Sequence, residues 1–143
     1  MDRHAIQLSN ITVDELYIKI LDRESFDGKS FPRDFSLTVS RSDYDAEDKV
    51  ISVRLEMNLQ PESEIIDRPF EMRIKIAGHF EVDEDNFPME QINNFAENNA
   101  PVLLIPYIRE QAYSLSIRAG VDPVLFPLVQ VPIFRITKKE VKE

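Results

Sequence analysis

The sequence predicts an α+β domain: a four-stranded antiparallel β-meander with a short and a long helix packed on one of its faces. Two patterns carry the prediction. Apolar and polar residues alternate through Ser52–Leu59 and again through Phe70–Val82, and an apolar stripe at helical spacing runs between Pro101 and Gly120. A period of two marks a half-buried strand and a period near 3.6 marks a helix with one buried side. The strands come first and the helices after, so the sheet's apolar face and the helices supply each other's cover. At 143 residues, 43% apolar and 30% charged, the chain fits one domain spanning 1–143 with a real core.

Each element has its own signature. Ile6 and Leu8, then Leu16, Ile18 and Ile20, fall at alternate positions, with a break near Asn10–Ile11 that reads as a bulge or as a division of the first strand into two pieces. Residues 22–34, with Gly28, Pro32 and several charges, read as a crossover loop that carries Phe26 and Phe31. The second strand holds Phe35, Leu37 and Val39. After an acidic turn from Asp43 to Asp48, the third places Val53, Leu55, Met57 and Leu59 on one face and Ser52, Arg54, Glu56 and Asn58 on the other. The fourth strand turns Phe70, Met72, Ile74, Ile76, Phe80 and Val82 inward, and Gly78 alone interrupts that row. Residues 89–99 form the short helix. The long one starts near Pro101 and carries Leu104, Ile108, Ala112, Leu115 and Ala119 as its stripe, with Gly120 as its stop. Pro106 inside it predicts either a later start or a kink, because proline removes one backbone donor.

Charge and composition exclude several classes of function. The formal charge of −9, from 17 basic and 26 acidic residues, argues against a phosphate backbone as partner, since that binding rests on clustered Lys and Arg. Nucleic acid is therefore not expected. The opening MDRHAIQLSN lacks an apolar leader segment, and the longest apolar run, near Val102–Ile108, is too short for a span. A cytoplasmic protein without membrane insertion is expected. With no cysteine and only His4 and His79, thiolate metal sites and Cys nucleophiles are absent, and no metal or other cofactor is expected.

The polar motifs read as solvated surface. Glu81, Asp83, Glu84, Asp85 and Glu90 lack the glycine and spaced ligands of a calcium loop, and twelve positions on from Asp43 stands Arg54 where such a loop needs a carboxylate. Glu56 and Glu71 resemble a carboxylate pair, but Arg54 and Arg73 beside them predict cross-strand ion pairs on a wet face. His79 falls on that face with no Ser or Cys nucleophile near it in sequence, which predicts a surface histidine. Three glycines in all leave no phosphate-cradling loop. No acid–base or nucleophile constellation assembles from these residues, so the chain is not expected to be an enzyme.

What is unusual is apolar content in connections. Phe26, Phe31, Leu125, Phe126, Leu128, Val129 and Val131 lie in segments that prolines keep irregular, and connections normally run over the surface. Such residues either tuck into the core or a subunit interface, or line a groove for an extended apolar peptide.

Gly78-His79-Phe80, then Ile105-Pro106-Tyr107-Ile108-Arg109-Glu110, then Gly120 and Pro123 resemble the SecB family of protein-export chaperones. Members of that family carry a similar Gly-x-Phe strand end and a Pro-Tyr-x-Arg-Glu helix start. Ile6-Gln7-Leu8 with Ile11, and the alternating Phe35, Leu37 and Val39, are similar to its first two strands, so the likeness spans most of the chain. The resemblance implies a four-stranded antiparallel sheet with two helices, assembled as a dimer of dimers through the long helix. It also implies an ATP-independent holdase that wraps unfolded protein clients in long apolar grooves during protein transport and translocation. Carried over by position, the peptide-binding residues are Phe35, Leu37, Val39, Ile74 and Leu125, and the composition of the loop adds Phe126 and Leu128.

The chain also departs from that pattern. The family docks the SecA motor through acidic residues on the open sheet face; the matching positions here are Glu15, Lys19 and Arg73, so one acid is kept and two are basic. A full second helix does not fit after residue 134. The departures point to a divergent relative, such as one that guards an aggregation-prone antitoxin in a toxin–antitoxin pair. A small-molecule carrier with an apolar pocket between sheet and helix is the alternative from another class.

Overall fold

In the computed structural model, residues 3–21, 36–59, 70–121 and 135–136 are described. Four strands, β1 (Ile6–Ile20), β2 (Ser36–Arg41), β3 (Val50–Leu59) and β4 (Phe70–Val82), precede a helical segment, and a two-residue strand, β5 (Arg135–Ile136), follows it. The sheet order is β1-β4-β3-β2-β5. The four long strands pair antiparallel as expected, but hairpin-style succession holds only from β2 to β4. β1 crosses to the far side and pairs with β4. Length explains the choice: β4 offers β1 partners from Ile6↔Val82 to Ile20↔Phe70, whereas β2 has only six residues.

Two bulges in β1 explain its broken alternation. Register shifts fall at Ser9 and at Asp14. Each extra residue reverses which parity faces the core, so Ile6 and Leu8 are succeeded inward by Ile11 and Val13, then by Leu16, Ile18 and Ile20. The break near Asn10 is thus a bulge within one strand.

The helical cover is one continuous run. A 3₁₀ turn (Met89–Gln91), the short α1 (Ile92–Asn94) and a π-helical stretch (Phe95–Asn99) lead into α2 (Ala100–Arg118). Pro106 does not break α2. It lies on the exposed side of the helix, where proline's missing backbone donor is least costly. The other end closes as a Schellman motif: Gly120, at φ 79°, donates its N–H to Ile117 O (3.0 Å), and Val121 donates to Ser116 O (3.1 Å). Val121 is buried, supplying the apolar contact that usually accompanies this cap.

One core joins the layers. Ile51, Val53, Leu55 and Met57 of β3 and Met72, Ile74, Ile76 and Phe80 of β4 are fully buried beneath Ala96, Ala100, Leu104, Ile108 and Ala112. Phe95 packs edge-on against Phe80 (ring centroids 5.4 Å apart) and against Phe87 (6.2 Å). The inward row of β4 omits a side chain at Gly78, and Leu104 fills that space.

Candidate peptide-binding surface

The two sides of the sheet have opposite chemistry. On the open side, Arg54 Nε meets Asp14 (3.0 Å), Arg73 Nε meets Glu15 (3.2 Å), and Lys75 Nζ meets Glu56 (3.7 Å). The cross-strand ion pairs expected of Arg54 and Arg73 are therefore present, but their partners come from β1. Glu71 accepts a hydrogen bond from the Tyr17 hydroxyl (2.8 Å), and the Arg73 guanidinium lies over the Tyr17 ring, 4.0 Å from its centroid. The bond to Glu71 holds the Tyr17 phenol above its ordinary range, and the bond to Glu15 does the same for Arg73. Glu15, the acid retained from the docking pattern, is thus matched by a cation on the next strand.

His79 sits among hydroxyls that the sequence places far away. Its ring nitrogens lie 2.9 Å from Thr12 Oγ1 and 2.7 Å from Ser52 Oγ, and Ser9 Oγ donates to its carbonyl (3.0 Å). A serine 27 positions away in sequence stands beside this histidine, because antiparallel register sets Ser52 opposite His79. Ser52 is 1% exposed, and the second ring nitrogen faces the Thr12 hydroxyl. The cluster ties β1, β4 and β3 together.

The acidic loops use their carboxylates locally. Asp45 Oδ1 accepts from the N–H groups of Glu47 and Asp48 (3.0 and 3.1 Å), and Asp83 Oδ1 accepts from Asp85 N–H (3.2 Å). Glu84 accepts from the Tyr44 hydroxyl (2.7 Å), joining the two loops. Burial and that bond push the Tyr44 phenol up to about 12. Among the described residues no three His, Asp or Glu side chains converge as a metal site.

The inner side holds the sequence-predicted peptide-binding residues that can be located. Leu37 and Val39 on β2 and Ile74 on β4 share the apolar face; Leu37 is 9% exposed, Val39 1% and Ile74 0%. Val39 and Ile74 are core side chains in the single chain, covered by the helical segment, while Leu37 lies at the margin. Phe35, Leu125, Phe126 and Leu128 lie outside the described residues, as do Phe26, Phe31, Val129 and Val131. The cover is pinned over β2 by Arg41, whose Nε meets Glu97 of the π-helical stretch at 3.0 Å. Both side chains are mostly buried, which strengthens the pair relative to those on the open face.

A second apolar surface was not read from the sequence. Val102, Leu103, Tyr107, Tyr113 and Ile117 project from the outer side of α2, with Leu103 50% and Ile117 49% exposed. Val13 and Leu16 of β1 are exposed as well, at an edge of the sheet. The stripe of Leu104, Ile108 and Ala112 is buried as expected, so α2 is apolar on two sides. The clue was present: Leu103, Tyr107 and Ile117 recur at helical spacing beside the inner stripe, giving the helix a second apolar side.

This fold and this sequence have known counterparts. The sequence model of the family described as preprotein translocase subunit SecB matches residues 4–137. The chain belongs to the SecB family. The SecB-like chaperone Rv1957 of Mycobacterium tuberculosis, solved in complex with a ChAD peptide from the HigA1 antitoxin, superposes with a TM-score of 0.62 over 90% of this chain and 94% of that one. Identity is 18%, so that likeness speaks for the SecB fold. An uncharacterized protein of Methanocaldococcus jannaschii is 31% identical over 75 residues, which are 52% of this chain. The matched segment covers 47% of that relative, so the chain matches about half of its length. No helix among the described residues of this SecB-family chain is long and apolar enough to cross a membrane.

Proposed function

We propose that this chain is an ATP-independent holdase, which binds non-native polypeptides through apolar surface and keeps them from aggregating. Membership of the SecB family over nearly its whole length carries the reading. Removing apolar client side chains from water contributes roughly 25 cal/mol per Å² with no demand for a particular sequence, which suits a protein that must hold unfolded chains. The binding groove lies on the β2 side at Leu37; Phe35, Leu125, Phe126 and Leu128 are proposed as further client-binding residues on the family resemblance and the composition of their segments alone. Val39 and Ile74 form its floor, reached when the helical cover shifts. The space between sheet and α2 is filled by Leu104, Ile108 and Ala112, all fully buried, which favours this reading over a small-molecule carrier.

The outer side of α2 and the exposed edge of β1 serve self-association, giving a homo-oligomer built as a dimer of dimers in the cytoplasm. Side chains such as Leu103 and Ile117, half exposed on a long helix, are the kind that a second copy covers.

The open face favours a dedicated client over general export. Asp14, Glu15 and Glu56 are each matched by a cation, so the face offers little excess negative charge to a motor such as SecA. The M. tuberculosis counterpart, solved with an antitoxin peptide, supports an antitoxin-like partner. The test is light scattering of a chemically unfolded client diluted into buffer with the chain at stoichiometric ratio, followed by affinity capture from the native lysate. Suppressed scattering supports the holdase reading, and its failure with every client tried would end it. A single dominant captured protein supports the dedicated partner; a broad set supports general export.

A further inference from the structure

The two outer edges of the four-stranded core are protected by different means. An open edge presents unpaired N–H and C=O groups to any passing strand, and proteins blunt it with charge, proline, bulges or cover. β1 uses the first and third of these: it carries bulges at Ser9 and Asp14, and Asp14, Glu15 and Lys19 lie along it. β2 has neither. Ser36 to Ser40 contains no charge and no proline, and its register with β3 is unbroken from Ser36↔Asn58 to Arg41↔Val53. A strand of this kind invites addition.

What covers β2 is the chain itself. β5 lies parallel to it with Thr38↔Arg135 and Val39↔Ile136 in register, so among the described residues two of the six β2 positions are paired on this edge. Parallel pairing is slightly weaker per residue than antiparallel, and a two-residue strand has few bonds to lose. Of the pairings in this sheet, it is the least costly to open. It also lies beside Leu37 and Val39, on the side where the groove is proposed.

We infer that the Arg135–Ile136 strand is a built-in competitor for the β2 edge. It occupies the edge when no client is present, and an extended segment of non-native polypeptide takes its place by adding a strand to β2. This rests on the holdase reading above and names how that site is regulated. The edge contributes backbone hydrogen bonds that ignore sequence, while the inward parity of Leu37 and Val39 selects segments with an apolar residue at every second position. Ordinary unfolded chains contain many such stretches, whereas folded proteins hide them. If β5 occupies the edge about nine-tenths of the time, it lowers the apparent client affinity about tenfold.

The test uses the full chain and its Ile136→Pro variant, since proline removes a backbone donor and disfavours pairing. The probes are a reduced, carboxymethylated protein as permanently unfolded client and a synthetic peptide spanning residues 131–141. Unchanged hydrogen-exchange protection in β3 and β4 shows that the variant is folded. The variant should bind client about tenfold more tightly, equivalent to about 1.4 kcal/mol. Its amides 36–41 should exchange faster, and either client or peptide should restore their protection. Equal client affinity of the two chains, with aggregation suppression intact, would overturn the competitor and leave the holdase standing. Protection of 36–41 that returns with protomer concentration alone would give the edge to a second copy and likewise overturn the proposal. If neither chain binds client, the holdase reading fails and the competitor with it. Failure of the peptide to protect 36–41 in the variant would remove the strand-addition site independently of any client.

Discussion

Gly78 offers the sharpest test of how sheet and helix meet. A Cβ at this position would lie 2.5 Å from Leu104 Cδ2, 3.1 Å from its Cδ1 and 3.2 Å from Phe80 Cε2. Carbon atoms pack at about 3.5–4.0 Å. Leu104 and Phe80 are both 0% exposed, so neither can yield into solvent. In the Gly78→Ala variant, overpacking costs about 1–3 kcal/mol, and the stiffer unfolded chain returns about 0.4–1 kcal/mol. The expected net loss is about 1–2 kcal/mol. Leu104→Ala alone should cost about 3 kcal/mol through the cavity it leaves. In the double variant the new methyl enters that cavity free of Leu104, with only the 3.2 Å approach to Phe80 left to relax, so the total should stay near about 3 kcal/mol, where independent effects would sum to about 4–5 kcal/mol. Urea unfolding followed by circular dichroism, at one fixed protomer concentration because self-association adds to apparent stability, measures all four corners of the cycle. Additivity within about 0.5 kcal/mol would refute the close approach of Leu104 to β4.

Three further outcomes follow from particular contacts. Tyr44→Phe should cost about 1 kcal/mol at neutral pH by removing the bond to Glu84. Because the folded phenol is raised from 10.0 to about 12, that contribution is full below pH 10 and fades as pH rises through about 12; a difference between the two chains that had already vanished at neutral pH would contradict the assignment. Glu97→Gln should lower stability by about 1–3 kcal/mol, because it leaves the mostly buried Arg41 without its closest ionic partner, and Glu56→Gln on the open face by less than about 1 kcal/mol. Equal losses in thermal unfolding would mean that the Arg41 pair does not pin the cover. Ile117→Asp should shift sedimentation towards a smaller species, since one buried carboxylate opposes closure of an apolar contact; an unchanged coefficient would remove α2 from the proposed interface.

Much of the fold was legible in local patterns. Alternation in β3 and β4, the parity break of β1, the inner stripe of α2 and the stop at Gly120 are all short-range consequences of side-chain geometry. The chemistry of the open face was legible too, since alternating charge on strands predicts ion pairs even before the partners are known. The candidate site was less so. Leu37, Val39 and Ile74 could be assigned to one face, but whether that face is open or covered depends on where the helical segment lies.

From sequence alone come the strands with their inward and outward sides, the long helix with its cap, and a likeness carried by Gly78-His79-Phe80 and Pro106-Tyr107-Ile108-Arg109-Glu110. Tertiary structure alone decided that β1 lies beside β4, that Asp14 and Glu15 answer Arg54 and Arg73, that Ser52 and Thr12 flank His79, and that β5 closes the edge of β2. The physical reason is range. Periodicity is written by neighbours three or four residues apart, whereas register is set by strands tens of residues apart competing for the same backbone hydrogen bonds, and no local pattern records which of them wins.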